Sequence, residues 1–331
     1  MTVTAANVPG SGDTVVTMPF DSPPSLPAYV PPGAIANLPG RGEVFYRRHI
    51  HADPTRPTLL LLHGWTASAD LQWVTAFRSL AEHYSFIAID HRGHGRGLRS
   101  NETFRLEDAA DDAAALVRAL GVEQVITLGY SMGGPISMLL WQRHGALVSA
   151  MVLQATALEW HATRLDRLRW RLLAPGETFL RSRLSTRTVH LAMGRMARRN
   201  HDLLPMLPWL TAEARRTDPR SVTQAGHALR HYDGRPFAGD VDVPTAMLIT
   251  TKDRLVAPVK QRALAAALGA EVRELVGDHD CCWVNGAEFA QVTTELVDGV
   301  VARIALARMT STPPPFQAVP AQAASVSSLP G

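Results

Sequence analysis

From about residue 41 to residue 308, short apolar runs alternate with stretches of helical periodicity. The runs are Glu43–Ile50, Thr58–Leu62, Ser85–Asp90, Gln124–Tyr130, Ala150–Leu153, Thr245–Thr251 and Glu271–Leu275. Each reads as a strand. A strand that is apolar at nearly every position is buried on both faces, as in a parallel sheet between two helical layers. The intervening segments read as helices. Residues 106–120 begin acidic and turn apolar. Residues 258–268 carry Pro258 in the first turn and Gly269 just past the end, the usual asymmetry of helix punctuation. A last helix starts at Asn285, which forms a capping-box-like pair with Glu288, and places Phe289, Val292, Leu296, Val300 and Ile304 on one face. Strand and helix in alternation predict an α/β fold with a doubly wound, mostly parallel sheet.

One stretch breaks the rhythm. Residues 158–235 carry no strand signal, and Leu165, Leu168 and Leu172 recur there at helical spacing beside Arg164, Arg167 and Arg171. Val189, Met193 and Met196 repeat the pattern. This is expected to be a helical insertion between two parts of a core, 41–157 and 236–308. Residues 1–40 are rich in proline, which blocks regular structure, and are expected to form an N-terminal arm. Residues 309–331 read as a flexible C-terminal tail.

Composition narrows the class. The 331 residues are 46% hydrophobic and 19% charged, as in a globular enzyme. The two cysteines, Cys281 and Cys282, leave no disulfide framework. No apolar run reaches the roughly 20 residues of a spanning helix. The first residues lack the basic and apolar regions of a secretory signal, so a cytoplasmic location is expected. A net charge of +3 does not point to nucleic acid. All but two of the 33 Lys and Arg residues are arginine, the exceptions being Lys252 and Lys260.

Candidate chemistry centres on Gly129-Tyr130-Ser131-Met132-Gly133-Gly134. The motif follows a predicted strand and opens a predicted helix. A sharp strand-to-helix turn pushes the serine hydroxyl out of the sheet, and glycines two before and two after leave room for that turn. The helix amino end favours negative charge developing nearby. Upstream, His63-Gly64-Trp65 ends a strand, where an oxyanion loop belongs. Downstream, Asp253 and His279 each follow a strand. Ser…Asp…His is the chain order expected when three strand ends feed one site.

With HGW at 63–65, DHRGHGRG at 90–97, GYSMGG at 129–134, KDRLVAP at 252–258 and GDHD at 277–280, residues 40–308 resemble the α/β-hydrolase superfamily. The serine at the elbow is similar to the esterase, lipase, lactonase and C–C hydrolase branches. It departs from the epoxide hydrolases and haloalkane dehalogenases, which place aspartate there. The resemblance implies Ser131 as nucleophile, His279 as general base and acid, and Asp253 as the residue orienting His279. It implies the backbone N–H groups of Trp65 and Met132 as the oxyanion hole, and a cap or lid at 158–235 whose Trp160, Trp170 and Trp209 would line the acyl pocket.

Each role has a rival. Glu159 lies just past the preceding strand, where some relatives keep the acid. His63, His91 and His94 are expected to serve the oxyanion loop, packing and hydrogen bonding. Asp278 and Asp280 are expected to be solvated loop carboxylates. Cys281 and Cys282 are expected to pack rather than form a vicinal disulfide. No Cys, His and carboxylate cluster has metal-ligand spacing, and HRGHGRG lacks the lysine and glycine pattern of a nucleotide site. The expected activity is cofactor-free cleavage of a carboxylic ester with an apolar acyl group through an acyl-enzyme. The alternatives are C–C bond or lactone hydrolysis on the same three residues, and a ligand-binding member without turnover. The cap arginines are expected to form a solvated face, with peripheral membrane contact or a substrate carboxylate as rival partners.

Overall fold

The computed structural model describes residue 27, residues 29–160 and residues 183–310. Eight strands form one sheet: β1 (Gly33–Leu38), β2 (Gly42–His49), β3 (Thr58–Leu62), β4 (Ser85–Ile89), β5 (Val125–Tyr130), β6 (Val148–Gln154), β7 (Thr245–Thr250) and β8 (Glu271–Leu275). Their order is β1-β2-β4-β3-β5-β6-β7-β8. The first two pairings are antiparallel and all the others parallel.

Successive side chains of a strand point to opposite faces, and the apolar runs obey this. Leu60, Leu62, Ile87 and Ile89 pack on one side with α3 (Leu106–Ala119) and α4 (Gly133–His144). Leu59, Leu61, Phe86 and Ala88 pack on the other with Trp73, Phe77 and Phe289, which come from α1 (Ala69–Trp73), α2 (Phe77–His83) and the last helix. Both faces are therefore covered at the centre of the sheet, and the central strands β3, β4, β5, β6 and β7 are buried along nearly their whole length.

One strand went unpredicted. Gly33–Leu38 lies inside the stretch expected to be an arm, yet it pairs along its whole length with β2. It is an edge strand with mostly exposed side chains, so it carries little apolar signal, and it follows Pro31 and Pro32. Residues 1–26 and the C-terminal residues 311–331 lie outside the described residues.

Between β6 and β7 the described elements are helical: α5 (Arg183–Ala197), a 3₁₀ segment (His201–Met206), α6 (Leu207–Ala214), α7 (Pro219–His231) and the short α8 (Arg235–Ala238). Met196, Leu203, Leu207 and Leu210 form a small core with Ala67 and Leu71, so the apolar stripe there packs these helices onto the residues following β3. Arg164, Arg167, Arg171 and Trp170 fall outside the described residues. After β7 come α9 (Pro258–Ala267), then β8, α10 (Cys281–Val284) and α11 (Gly286–Thr310). The parallel register aligns Leu62, Gly129 and Leu153 across three strands, so the loops beyond them open at one edge.

Candidate active site

Ser131 sits between β5 and α4 with φ +52°, a conformation that costs a non-glycine residue about 1–3 kcal/mol. Two backbone bonds hold it there: Ser131 N–H donates to the Gln154 carbonyl at 2.9 Å, and Gly134 N–H donates to the Ser131 carbonyl at 2.9 Å. The neighbouring glycines are required by space. A Cβ on Gly129 would run into the Gly133 carbonyl, one on Gly133 into the Leu62 carbonyl, and one on Gly134 into the Thr156 side chain.

His279 stands on the loop between β8 and α10. Its Nε2 lies 3.0 Å from Ser131 Oγ, and its Nδ1 lies 2.8 Å from Asp253 Oδ2. An ionised carboxylate only accepts, so Nδ1 carries the proton and Nε2 is left to accept from the serine hydroxyl. Asp253 is itself held rigidly. Oδ1 accepts the N–H groups of Leu255 and Val256, both at 2.8 Å, while Oδ2 accepts Thr250 Oγ1 at 2.7 Å and Gln261 Nε2 at 3.2 Å. Glu159 is elsewhere: its carboxylate pairs with Lys260 Nζ at 3.0 Å. The structure thus brings Ser131, Asp253 and His279 together and leaves Glu159 out.

The carboxylates flanking His279 are not simply solvated, contrary to expectation. Asp278 accepts the backbone N–H groups of His279 at 2.8 Å and Arg254 at 2.9 Å, and it pairs with the Arg254 guanidinium. Burial raises its pKa, but these bonds outweigh burial and leave the carboxyl below its usual range. Asp280 borders the cavity at Ser131 and pairs with Arg199 beyond α5 at 2.5 Å. Burial is the largest cause of its raised pKa.

The loop after β3 is pinned by His63, which is fully buried. His91 N–H donates to His63 Nε2 at 3.0 Å, so the ring proton is on Nδ1 and bonds the Gly64 carbonyl at 2.8 Å. Burial pushes His63 well below its ordinary pKa, and takes His91 down to about 3 and His94 down to about 4. All three rings are therefore neutral and structural at neutral pH. Trp65 follows, then Thr66 with φ +65°. The Trp65 indole donates to the Val222 carbonyl at 2.8 Å and lies against Gly226, so α7 is seated on this loop. Met132 precedes α4, whose first N–H groups have no intrahelical acceptor.

The cavity at Ser131 measures about 260 Å³. Trp65, Trp160, Leu229, Leu255 and Trp283 supply apolar wall, and Gln72 and Asp280 add polar groups. Of the tryptophans named from sequence, Trp160 lines the cavity, whereas Trp209 packs with the small core between the helices of 183–231 and the β3 loop. Trp65 and Trp283 were missed as wall residues because they come from the core, Trp65 from the loop after β3 and Trp283 from α10, and not from the expected cap. Tyr130, also unpredicted, donates its hydroxyl to the His279 carbonyl at 2.8 Å and braces that loop from below. Cys281 and Cys282 are free, buried thiols. Burial takes Cys281 up to about 12 and Cys282 well above its ordinary value, which suits packing. Among the described residues, no group of three His, Cys, Asp or Glu could hold a metal ion, and no helix is long and apolar enough to cross a membrane.

The family model described as alpha/beta hydrolase fold matches residues 57–285. The chain belongs to this family. RutD of Serratia proteamaculans, a protein named as a carbamate hydrolase, is 26% identical over 243 residues, which is 68% of this chain and 85% of that protein. A non-heme haloperoxidase of Rhodococcus erythropolis is 35% identical over 105 residues, 31% of this chain and 36% of that one. Among solved structures, an enol-lactonase from Burkholderia xenovorans superposes with a TM-score of 0.68 at 21% identity, covering 80% of this chain and all of that one. A bromoperoxidase from Bacillus anthracis superposes with a TM-score of 0.69 at 18% identity, covering 81% and 100%. At these identities the structural likeness speaks for the α/β-hydrolase fold alone.

Proposed function

We propose that this α/β hydrolase is a serine hydrolase that cleaves a carboxylic ester with a largely apolar acyl group. The observation carrying the reading is the relay Ser131 Oγ–His279 Nε2 at 3.0 Å and His279 Nδ1–Asp253 Oδ2 at 2.8 Å, opening on an apolar-walled cavity. His279 takes the Ser131 proton as Oγ attacks the ester carbonyl. The N–H groups of Trp65 and Met132 receive the developing oxyanion. His279 then protonates the departing alkoxide, leaving an acyl-serine, and activates the water that releases the acid. Asp253 keeps Nδ1 protonated and offsets the charge on the imidazolium.

No cofactor enters this sequence of steps. Lactones would follow the same path with the leaving group still attached. The helices of 183–231 would act as the cap over this cavity.

A fluorophosphonate probe, run beside a panel of p-nitrophenyl esters, tests the reading. Wild type should be labelled on Ser131 and turn over short neutral esters, and Ser131→Ala should lose both. Labelling that survives Ser131→Ala, or a wild type that is neither labelled nor active, overturns it. The second result would favour a ligand-binding protein.

A further inference from the structure

Helix α7 carries a glycine, Gly226, in its interior. Glycine weakens a helix interior relative to alanine, so its presence there needs a reason. The reason is Trp65. A Cβ built on Gly226 would stand 2.6 Å from Trp65 Cζ2 and 3.1 Å from Cε2. Trp65 Nε1, which is bonded to Cε2, donates to the Val222 carbonyl at 2.8 Å. In a helix that carbonyl also faces the N–H of residue 226, and its two lone pairs can serve both donors. The indole edge thus enters a notch that a side chain at 226 would fill.

The helix behind the notch is tied to the core. Asp218, its cap residue, donates its N–H to the Gly93 carbonyl at 2.9 Å, and Gln224 Oε1 accepts the Phe104 N–H at 3.0 Å. The loop bearing Trp65 leans on this support. Gly64 is packed against the nucleophile: a Cβ on it would lie 3.3 Å from the Ser131 Cβ. The Gly64 carbonyl is held by His63 Nδ1 at 2.8 Å. In a trans peptide the Trp65 N–H points the opposite way from that carbonyl, and so away from His63. Two further backbone ties, Gly64 N–H to Gln72 Oε1 and Ala67 N–H to the Gly64 carbonyl, are long at 3.3 Å each. The indole bond to α7 is shorter than either. Thr66, the next residue, sits at φ +65°, a strained conformation that its surroundings must hold.

We propose that α7 positions the oxyanion hole. The Val222 carbonyl and the notch at Gly226 hold the Trp65 indole, and through it the Trp65 N–H that receives the oxyanion. Gly226 is therefore a positioning residue for hydrolysis and touches no reacting atom. This rests on the ester-hydrolase reading and on the oxyanion hole it assigns. Ordinary carbon contacts lie at about 3.5–4.0 Å, so the methyl of Gly226→Ala, built 2.6 Å from Cζ2, pushes the indole back by roughly 1 Å.

The test compares p-nitrophenyl butanoate with its thiono analogue, in which sulfur replaces the carbonyl oxygen. Sulfur is larger and a poorer hydrogen-bond acceptor, so the thiono ester draws little on the oxyanion hole. The kcat/KM ratio of oxygen to sulfur ester, divided by the same ratio in hydroxide hydrolysis, reads the hole. Gly226→Ala should lower kcat on the oxygen ester by about 10²-fold, leave KM nearly unchanged, and lower the corrected ratio by about tenfold or more. Trp65→Phe, which removes the indole N–H, should lower the ratio as well. Adding Gly226→Ala to Trp65→Phe should cost little more, because the smaller ring no longer meets the methyl. A raised KM with kcat and ratio held means that α7 only shapes the acyl pocket, and overturns the proposal. An equal loss on both esters overturns it too, as a structural effect. If Gly226→Ala does not fold, Trp65→Phe decides by the same ratio, and a wild-type value overturns the proposal. Esters cleaved by wild type with a ratio unmoved in the variants sink this inference alone. A wild type neither labelled by the fluorophosphonate nor active sinks the ester-hydrolase reading instead.

Discussion

Replacing Asp253 by asparagine should cost far more activity than stability, and the contacts of the carboxylate say why. Oδ1 accepts two backbone N–H groups, which an asparagine carbonyl can also do. The new NH₂ then occupies the place of Oδ2, facing His279 Nδ1, Thr250 Oγ1 and Gln261 Nε2. The Thr250 hydroxyl can rotate to accept. Gln261 cannot flip cheaply, because its Oε1 holds the Thr250 N–H at 3.0 Å. His279 can satisfy the NH₂ only by accepting at Nδ1, which moves its proton to Nε2. That proton then points at Ser131 Oγ, and the base is lost. Comparable tautomer reversals lower kcat by about 10⁴, or ~5.5 kcal/mol of barrier. The stability cost is one poorly satisfied donor, about 1–3 kcal/mol. The assay is kcat on p-nitrophenyl butanoate with thermal unfolding on the same samples. Glu159→Gln is the control: it removes the charge pair with Lys260, about 1 kcal/mol at most, and kcat should hold. A loss below tenfold in Asp253→Asn, or a dead Glu159→Gln, would refute the assignment of the acid.

Two further outcomes follow from the geometry. Gly133→Ala would drive a Cβ into the Leu62 carbonyl of the neighbouring strand, so it should destabilise by about 3 kcal/mol or more or prevent folding; a wild-type melting temperature would contradict the packing. For pH, His91 at about 3 and His94 at about 4 lie below their unfolded value of 6.5. The unfolded chain thus binds more protons, and this stability is complete above pH 6.5 and lost as pH falls toward 4. Two groups over two pH units amount to roughly 5 kcal/mol at most. Asp90, raised to about 6 by burial, acts in the opposite sense between pH 4 and 6 and offsets part of it. Urea midpoints should fall between pH 7.5 and pH 5; a flat or rising midpoint would count against neutral, buried histidines.

What the sequence settled alone was local. Thr58–Leu62 and Val125–Tyr130 declare buried parallel strands because each side chain meets one helical layer or the other. The elbow at Ser131 is legible because its turn demands glycine at fixed offsets, and the Ser…Asp…His order follows from strands that end on one edge. Tertiary structure decided whatever depends on a distant neighbour. Asp253 rather than Glu159 faces His279 because β7 and β8 are parallel neighbours in register, while Lys260 claims Glu159. Gly33–Leu38 became a strand only because β2 offered it an edge; exposed, it has no apolar pattern to announce it. Tyr130 under His279, Trp65 against α7, Asp280 on Arg199 and Gln72 beside Gly64 were all silent in the sequence. Their partners are brought close by the sheet and by the helices laid over it, and no spacing along the chain records such a meeting.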